Sequence, residues 1–215
     1  MYVPATTVPP MPALAPVGVV TSGTAPLSVP VNTALKVRSA RLNVLENHRA
    51  TVTGTLLENH HAGLPGQVVS LQALGRHGWH TLTRARTGTR GRFRVSFVAH
   101  RLGSHAVRLR FAGSLLAQGS RRRLGKLSVY RLAGASWYGG GGGLACGGQL
   151  TSSTLGVANK TLPCGTLVTL HYAGHTVRVP VVDRGPYVAG REFDLTEATK
   201  RALGFGDVGD VWSTR

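Results

Sequence analysis

Residues 181–204 read VVDRGPYVAGREFDLTEATKRALG. The segment begins as the end of an apolar strand, HTVRVPVVD (175–183), that runs straight into a carboxylate at Asp183. Arg184–Gly185–Pro186 then forces a turn, because proline presets its φ and glycine supplies conformations that other residues avoid. A charge at the end of a buried strand is costly unless it is paired or needed. Asp183 is therefore either a turn-capping residue or a residue of the reaction centre. Eleven residues on, Asp194 opens the run DLTEATKRALG. That run predicts a helix from Asp194 to Leu203, with Thr196 as a candidate cap, Lys200 and Arg201 in the last turn and Gly204 as the stop. Asp194 is then either the N-terminal cap, worth roughly 1 kcal/mol, or a second functional carboxylate.

Around this segment the sequence reads as short strands: TLGVANK (154–160), GTLVTLHYAG (165–174) and the terminal DVGDVWST (207–214). Five consecutive glycines, Gly139 to Gly143, form a loop with no side chains to order it. One short helix among many strands predicts a small barrel over residues 135–215. Cys146 and Cys164 lie 18 residues apart in it. In an oxidising compartment they can pair, and a loop of that size adds about 3 kcal/mol; in a reducing one they are two free thiols. His171 and His175 fall in a strand pattern with no sign of a catalytic cysteine partner.

Upstream, LKVRSARLNV, RATVTGTLL, QVVSLQALG, WHTLTRAR, RFRVSFVAH and HAVRLRFAG alternate with period two and are separated by turn residues. About seven such strands over residues 33–131 suggest a β-sandwich of immunoglobulin type. In RFRVSFV, Phe93, Val95 and Phe97 share one face and Arg92, Arg94 and Ser96 the other. His60 and His61 are adjacent, so in a strand they point opposite ways, and no metal site is expected there. Residues 1–32 carry seven prolines, which deny helix and sheet ladder alike, and are expected to form an extended linker. They lack a basic start and an unbroken apolar core, so no signal peptide is visible in this sequence.

The 215 residues carry 25 Lys+Arg against 8 Asp+Glu, a net charge of +17. Residues 1–132 account for +16 and residues 133–215 for +1, and all four aspartates lie in the second part. A cationic body thus precedes a nearly neutral part that owns the carboxylates. Eight carboxylates exclude acidic calcium-loop arrays, and two cysteines exclude a four-cysteine zinc site. No stretch is long and apolar enough for a transmembrane helix. The Arg121–Arg123 run invites a polyanion, but no RNA-binding aromatic signature and no helix-turn-helix pattern accompany it, so nucleic acid rests on charge alone.

Three ordered motifs carry a resemblance: ASWYG (135–139), TLPCGT (161–166) and the whole of 181–204. Together they resemble the rare lipoprotein A family, whose fold is a double-psi β-barrel related to expansins and to membrane-bound lytic transglycosylase A. The paired cysteines and the Arg-rich sandwich look like the form found in secreted actinobacterial proteins. The resemblance implies an all-β chain, an immunoglobulin-like sandwich followed by a six-stranded double-psi β-barrel with one short helix. It implies a secreted cell-wall protein acting on peptidoglycan glycan strands, leaving a 1,6-anhydro sugar. By position, Asp183 matches the family's catalytic Asp, and Asp194 matches the Asp that sits in the sugar groove of expansins. Trp137, Tyr138 and Tyr187 would line that groove, Arg184 is a further substrate-binding candidate that can help hold Asp183 ionised, and no cofactor or metal is implied.

Two positions depart from the family. Where lytic members carry Glu and His, this sequence has Gln149 and Asn159, and neither amide transfers a proton at physiological pH. They are retained as substrate-binding candidates. Two functions remain open. One is lytic transglycosylase-like cleavage with Asp183 as the general acid and base. The other is a non-catalytic, expansin-like polysaccharide-binding module. In either, the basic sandwich is a candidate contact for anionic wall polymers.

Overall fold

The computed structural model describes residues 29–215. Most of the linker expected over 1–32 therefore lies outside the described residues. Its last part is tied down: Val31 bridges Ala117, and the Asn32 carbonyl accepts the Asn59 N–H at 2.9 Å. The strands are β1 (Thr33–Arg41), β2 (Asn43–Leu45), β3 (Arg49–Glu58), β4 (Ala62–Gly63), β5 (Val68–Gly75), β6 (Gly78–Arg86), β7 (Arg92–Val98), β8 (Gly103–Phe111), β9 (Ser120–Tyr138), β10 (Val157–Ala158), β11 (Leu167–Tyr172), β12 (His175–Asp183), β13 (Phe193–Thr196) and β14 (Val208–Ser213). One α-helix, α1 (Glu197–Leu203), accompanies them among the described residues.

The first nine strands form two sheets over one core. In the first sheet β1 and β7 flank β3, all antiparallel, with β4 closing a short hairpin on β3. In the second, β6, β5, β8 and β9 run antiparallel and β2 lies parallel to β9. Alternation places Val52, Leu56 and Val95 of one sheet against Val69, Leu71, Leu109 and Val129 of the other. Each such side chain, taken fully out of water, contributes about 1.5–3 kcal/mol. In β7, Phe93 and Val95 are buried while Arg92 and Arg94 are exposed, as the alternation predicts. The strand expected at His60 and His61 is a turn instead: Asn59 and His60 have φ of 45° and 66°, and both histidines are exposed. The chain reverses there between β3 and β4, and a strand cannot continue through a reversal.

Strand β9 is the structural hinge pin of the chain. Its first part, through Tyr130, pairs with β8 and β2; from Arg131 onward it pairs with β14 and β13. The sandwich and the barrel are thus joined by one uninterrupted strand rather than a linker. Tyr130, wholly buried at the junction, donates from its hydroxyl to Asn43 Oδ1 at 3.1 Å and stacks on His171, with ring centroids 5.6 Å apart.

The second half closes on itself. The order β9–β14–β11–β12–β10–β13 returns to β9, a six-stranded ring without a free edge. Pairs β10/β12 and β13/β9 are parallel and the other four antiparallel. Val157, Val168, Leu170, Val181, Phe193 and Leu195 fill its interior. This is the all-β, six-stranded double-psi architecture with a single helix that the motifs implied. Gly134 on β9 is required by close approach, since a Cβ there would collide with the Gly190 carbonyl.

The helix starts later than expected. Phe193–Thr196 is strand, hydrogen-bonded to β9 on one side and β10 on the other, and closing the ring leaves those residues unable to coil. Thr196 is the N-cap, its hydroxyl accepting the Thr199 N–H, and Gly204 stops the helix in the left-handed conformation at φ 63°. Asp194 is therefore not a helix cap.

Candidate functional site

Asp183 ends β12, and two other segments converge on it. Its Oδ1 accepts the Ala145 N–H at 2.9 Å and its neighbour Arg184's N–H at 2.8 Å. Its main-chain carbonyl accepts the Asn159 N–H at 3.1 Å, and the Cys146 N–H donates to the Val182 carbonyl at 3.2 Å. The strand end is thus clamped between residues 144–146 and the loop after β10. The disulfide Cys146–Cys164, with Cα atoms 5.5 Å apart, links those two clamps covalently. Asp183 itself is half-buried, and its Oδ2 has no hydrogen-bond partner among the described residues. The carboxylate is neither sealed nor fully satisfied. The Gly185–Pro186 peptide is cis and turns the chain away, leaving Tyr187 81% exposed beyond it.

Asp194 lies in mid-β13. Phe193 and Leu195 on either side fill the barrel core, so alternation turns Asp194 to the opposite face. There Ser136 Oγ donates to Asp194 Oδ1. Ala158 on β10 is the Cα partner of both Asp183 and Asp194.

Tyr138 sits two residues along β9 from Ser136 and shares its face. Its hydroxyl oxygen is buried and has no hydrogen bond of ordinary geometry to any described residue. Burial, then the negative charge of Asp183 and the phenol's hydrogen bonding toward that carboxylate, then the charge of Asp194, push the phenol well above the ordinary tyrosine range. Tyr138 therefore keeps its proton and holds its donor next to Asp183.

The remaining candidates separate. Trp137 alternates with Tyr138 and points the other way. Its indole N–H donates to Asp207 Oδ1 at 2.9 Å, and Lys200 Nζ lies 3.8 Å from its ring centroid. Lys200, and then the Trp137 N–H, hold the Asp207 carboxyl below its usual range. Trp137 and Tyr138 thus do not line one groove together as expected, because neighbours in a strand face opposite ways. Arg184 is turned from Asp183: its guanidinium donates to the Asn159 and Leu162 carbonyls at 3.0 and 2.8 Å and lies 3.1 Å from Cys164 Sγ. Asn159 is buried and its amide is spent on the backbone, Oδ1 accepting from Thr161 and Leu162 N–H and Nδ2 donating to the Glu192 carbonyl. Both side chains serve the loop over residues 159–164. Gln149 is exposed, in a bridge with Gly143 of the glycine loop.

Ser136 and the Ala145 N–H are site groups that sequence reasoning missed. Ser136 was legible in principle, since it alternates in register with Tyr138 within ASWYG; a backbone N–H carries no sequence signal. Among the described residues no three His, Cys, Asp or Glu side chains come together as a metal site.

Residues 132–211 match the protein-family model described as "Lytic transglycolase". Over 75 residues the chain is 44% identical to the "Probable endolytic peptidoglycan transglycosylase RlpA" of Aquifex aeolicus, covering 33% of each chain. Over 89 residues it is 37% identical to the protein of the same name from Synechocystis sp., covering 38% of this chain and 28% of that one. The chain thus spans about a third of the length of the curated relatives it matches. Among solved structures, the "Streptomyces papain inhibitor (SPI)" aligns with 23% identity and a TM-score of 0.32, covering 39% of this chain and 90% of that one. With its closed six-stranded ring and its ordered motifs, the barrel over residues 132–211 belongs to the RlpA-like double-psi β-barrel family.

Proposed function

We propose that this protein acts at the cell wall, outside the cell, and cleaves peptidoglycan glycan strands as a lytic transglycosylase. The reading rests on the family of the barrel and on one observation: Asp183 offers a half-open carboxylate oxygen beside a phenol that keeps its proton. The disulfide fits an oxidising compartment.

The reaction needs one acid because the sugar supplies its own nucleophile. In this step the acid form of Asp183 gives its proton to the glycosidic oxygen as the bond from C1 breaks. The 6-hydroxyl of the same sugar then attacks C1 and passes its proton to the Asp183 carboxylate. One C–O bond breaks and one forms, no water is consumed, and the acid returns protonated. The products are a 1,6-anhydro end and a free hydroxyl on the departing sugar. Ordinary glycosidases need a second carboxyl group for water; here Asp194 and Tyr138 orient the sugar and the acid, and Tyr187 offers an exposed ring to a pyranose face.

The test is release of anhydro-muropeptides from purified peptidoglycan, followed by mass spectrometry, with wild type and Asp183→Asn. Product from wild type and none from the variant is expected. No soluble product from several wall types with folded protein would remove the enzyme.

A second reading, a non-catalytic glycan-binding module, is favoured by Gln149 and Asn159. At the two positions where the resemblance expects Glu and His stand amides, one exposed and one wholly occupied by the backbone. Retention on insoluble peptidoglycan without any product would support this reading.

A further inference from the structure

Residues 59–182 contain no Asp or Glu. Strands β5, β6, β8 and the sandwich part of β9 all lie within that stretch. Opposite the core side chains Val69, Leu71 and Leu109, the outward face of this sheet carries arginines in register. Arg84, Ser70, Arg110 and Arg121 are successive Cα partners across four strands. Gln72, Arg108 and Arg123 form the next row, and Arg86 extends the face along β6. The rows are about 6.7 Å apart along a strand and the strands about 4.8 Å apart.

Two of these guanidinium groups are oriented by the protein. Arg108 Nε donates to Gln72 Oε1 at 2.9 Å with its guanidinium 4.1 Å above the Trp79 ring, and Arg86 donates to the Gly66 carbonyl at 2.7 Å. The guanidinium groups of Arg84, Arg110, Arg121 and Arg123 make neither a hydrogen bond nor an ion pair to any described residue. Like charges stand directly opposite at Arg110/Arg121 and Arg108/Arg123, an arrangement that repels. Burial, then Arg121, Arg110 and Arg123, push Arg108 below the ordinary range. The face is also hollowed. Arg84, Arg86 and Arg110 line a depression of about 440 Å³, and Arg110 and Arg121 one of about 330 Å³.

Six cations held at lattice spacing with no acid among them lack a counter-charge among the described residues. We propose that this face binds a phosphodiester-linked polyol polymer of the poly(glycerol phosphate) kind, laid across the strands from Arg84 to Arg121 and Arg123. Guanidinium forks match phosphate oxygens in pairs. A polyol chain carries one charge per short repeat and asks for no stacking surface. Nucleic acid asks for more: single strands use free aromatic platforms, and here the Trp79 ring is already covered by Arg108. The site stands on the sandwich and does not depend on any reaction at Asp183.

Binding of fluorescent poly(glycerol phosphate) to the full chain, measured by anisotropy between about 50 and 200 mM salt, tests the proposal. Wild type is expected to bind, with affinity falling steeply as salt rises. The variant R110Q/R121Q/R123Q is expected to bind at least about tenfold more weakly, with the slope of log affinity against log salt reduced by about three, one per lost phosphate contact. R92Q/R94Q removes charge from the opposite sheet and is expected to weaken binding by less than about threefold on the same salt argument. Thermal unfolding checks that both variants fold; if the triple Gln variant does not, R110K/R121K/R123K keeps the charge and is expected to lose affinity with little change of slope. Equal losses in the two Gln variants would reduce the face to diffuse charge and overturn the site. Tighter binding of duplex DNA or of a carboxylate polysaccharide at equal charge, or no binding of the polymer by wild type at low salt, would overturn its ligand.

Discussion

Asp183 and Asp194 flank a single residue. Ala158 on β10 pairs in parallel with the first and antiparallel with the second, so two carboxylates from different turns of the chain stand at one level of the barrel wall. Two strand spacings separate their Cα atoms, roughly 10 Å. Tyr138 feels both charges. Closing the ring between β13 and β9 brings Ser136 and Tyr138 alongside.

The two aspartates are expected to differ in consequence. Asp183→Asn keeps an oxygen for the Ala145 and Arg184 N–H groups, so the fold should survive, while under the proposed reaction anhydro-sugar release falls by about 10²–10⁴-fold, the range for loss of a general acid. Asp194→Asn should cost far less, about tenfold, because its partner is Ser136 rather than the bond that breaks. Product yields by mass spectrometry compare them; equal losses would contradict the division of roles.

Tyr138→Phe removes a hydroxyl that makes no hydrogen bond of ordinary geometry to any described residue. Nothing is left unpaired, so stability at neutral pH should stay within about 1 kcal/mol of wild type. The alkaline limb should change. The folded phenol titrates above the unfolded value of 10.0, so the folded state holds its proton more tightly. That stability is fully present below pH 10 and is lost as pH rises above it. Tyr130, raised mainly by burial, adds in the same direction. Melting temperatures above pH 10 should fall less steeply in Tyr138→Phe.

Reducing Cys146–Cys164 should unclamp the strand end on which Asp183 sits. The loop-closure argument gives a loss of about 3 kcal/mol for a loop of this size. Denaturant unfolding with and without a thiol reductant measures it, and glycan release should fall in parallel. Unchanged release from the reduced protein would separate the disulfide from the site.

His171 sits at the junction between Tyr130 and Trp212, with ring centroids 5.6 and 5.2 Å away. Burial, foremost, lowers its pKa below the usual 6.5. Its neutral form is therefore favoured on folding. The stability this contributes is present above pH 6.5 and lost as pH falls through the folded value. Melting temperature should drop as pH falls below 6.5, and His171→Gln should flatten that drop.

Much of this was legible in the sequence. Period-two alternation in RFRVSFV and its neighbours located the strands of the sandwich, because burying one face requires it. Thr196 and Gly204 were readable as helix ends from their own chemistry. The extent of the helix was not. FDLTEATKRAL is a plausible helix throughout, and the strand character of Phe193–Thr196 comes from ladders to β9 and β10, which lie 35 or more residues away in sequence. Arg184 shows the same limit: it adjoins Asp183 in the chain yet spends its guanidinium on the loop at Asn159 and Leu162.

The order of the residues alone determined that this is an all-β chain with a cationic first part, a carboxylate-bearing second part and an acidic strand end at Asp183. Those are consequences of local alternation, turn chemistry and composition. Which side chains meet that carboxylate, that Trp137 turns away while Tyr138 stays, and that arginines from three strands align on one sheet were decided only by tertiary structure. Strand register sets which distant residues become neighbours, and register is settled by the packing of whole sheets rather than by any short segment.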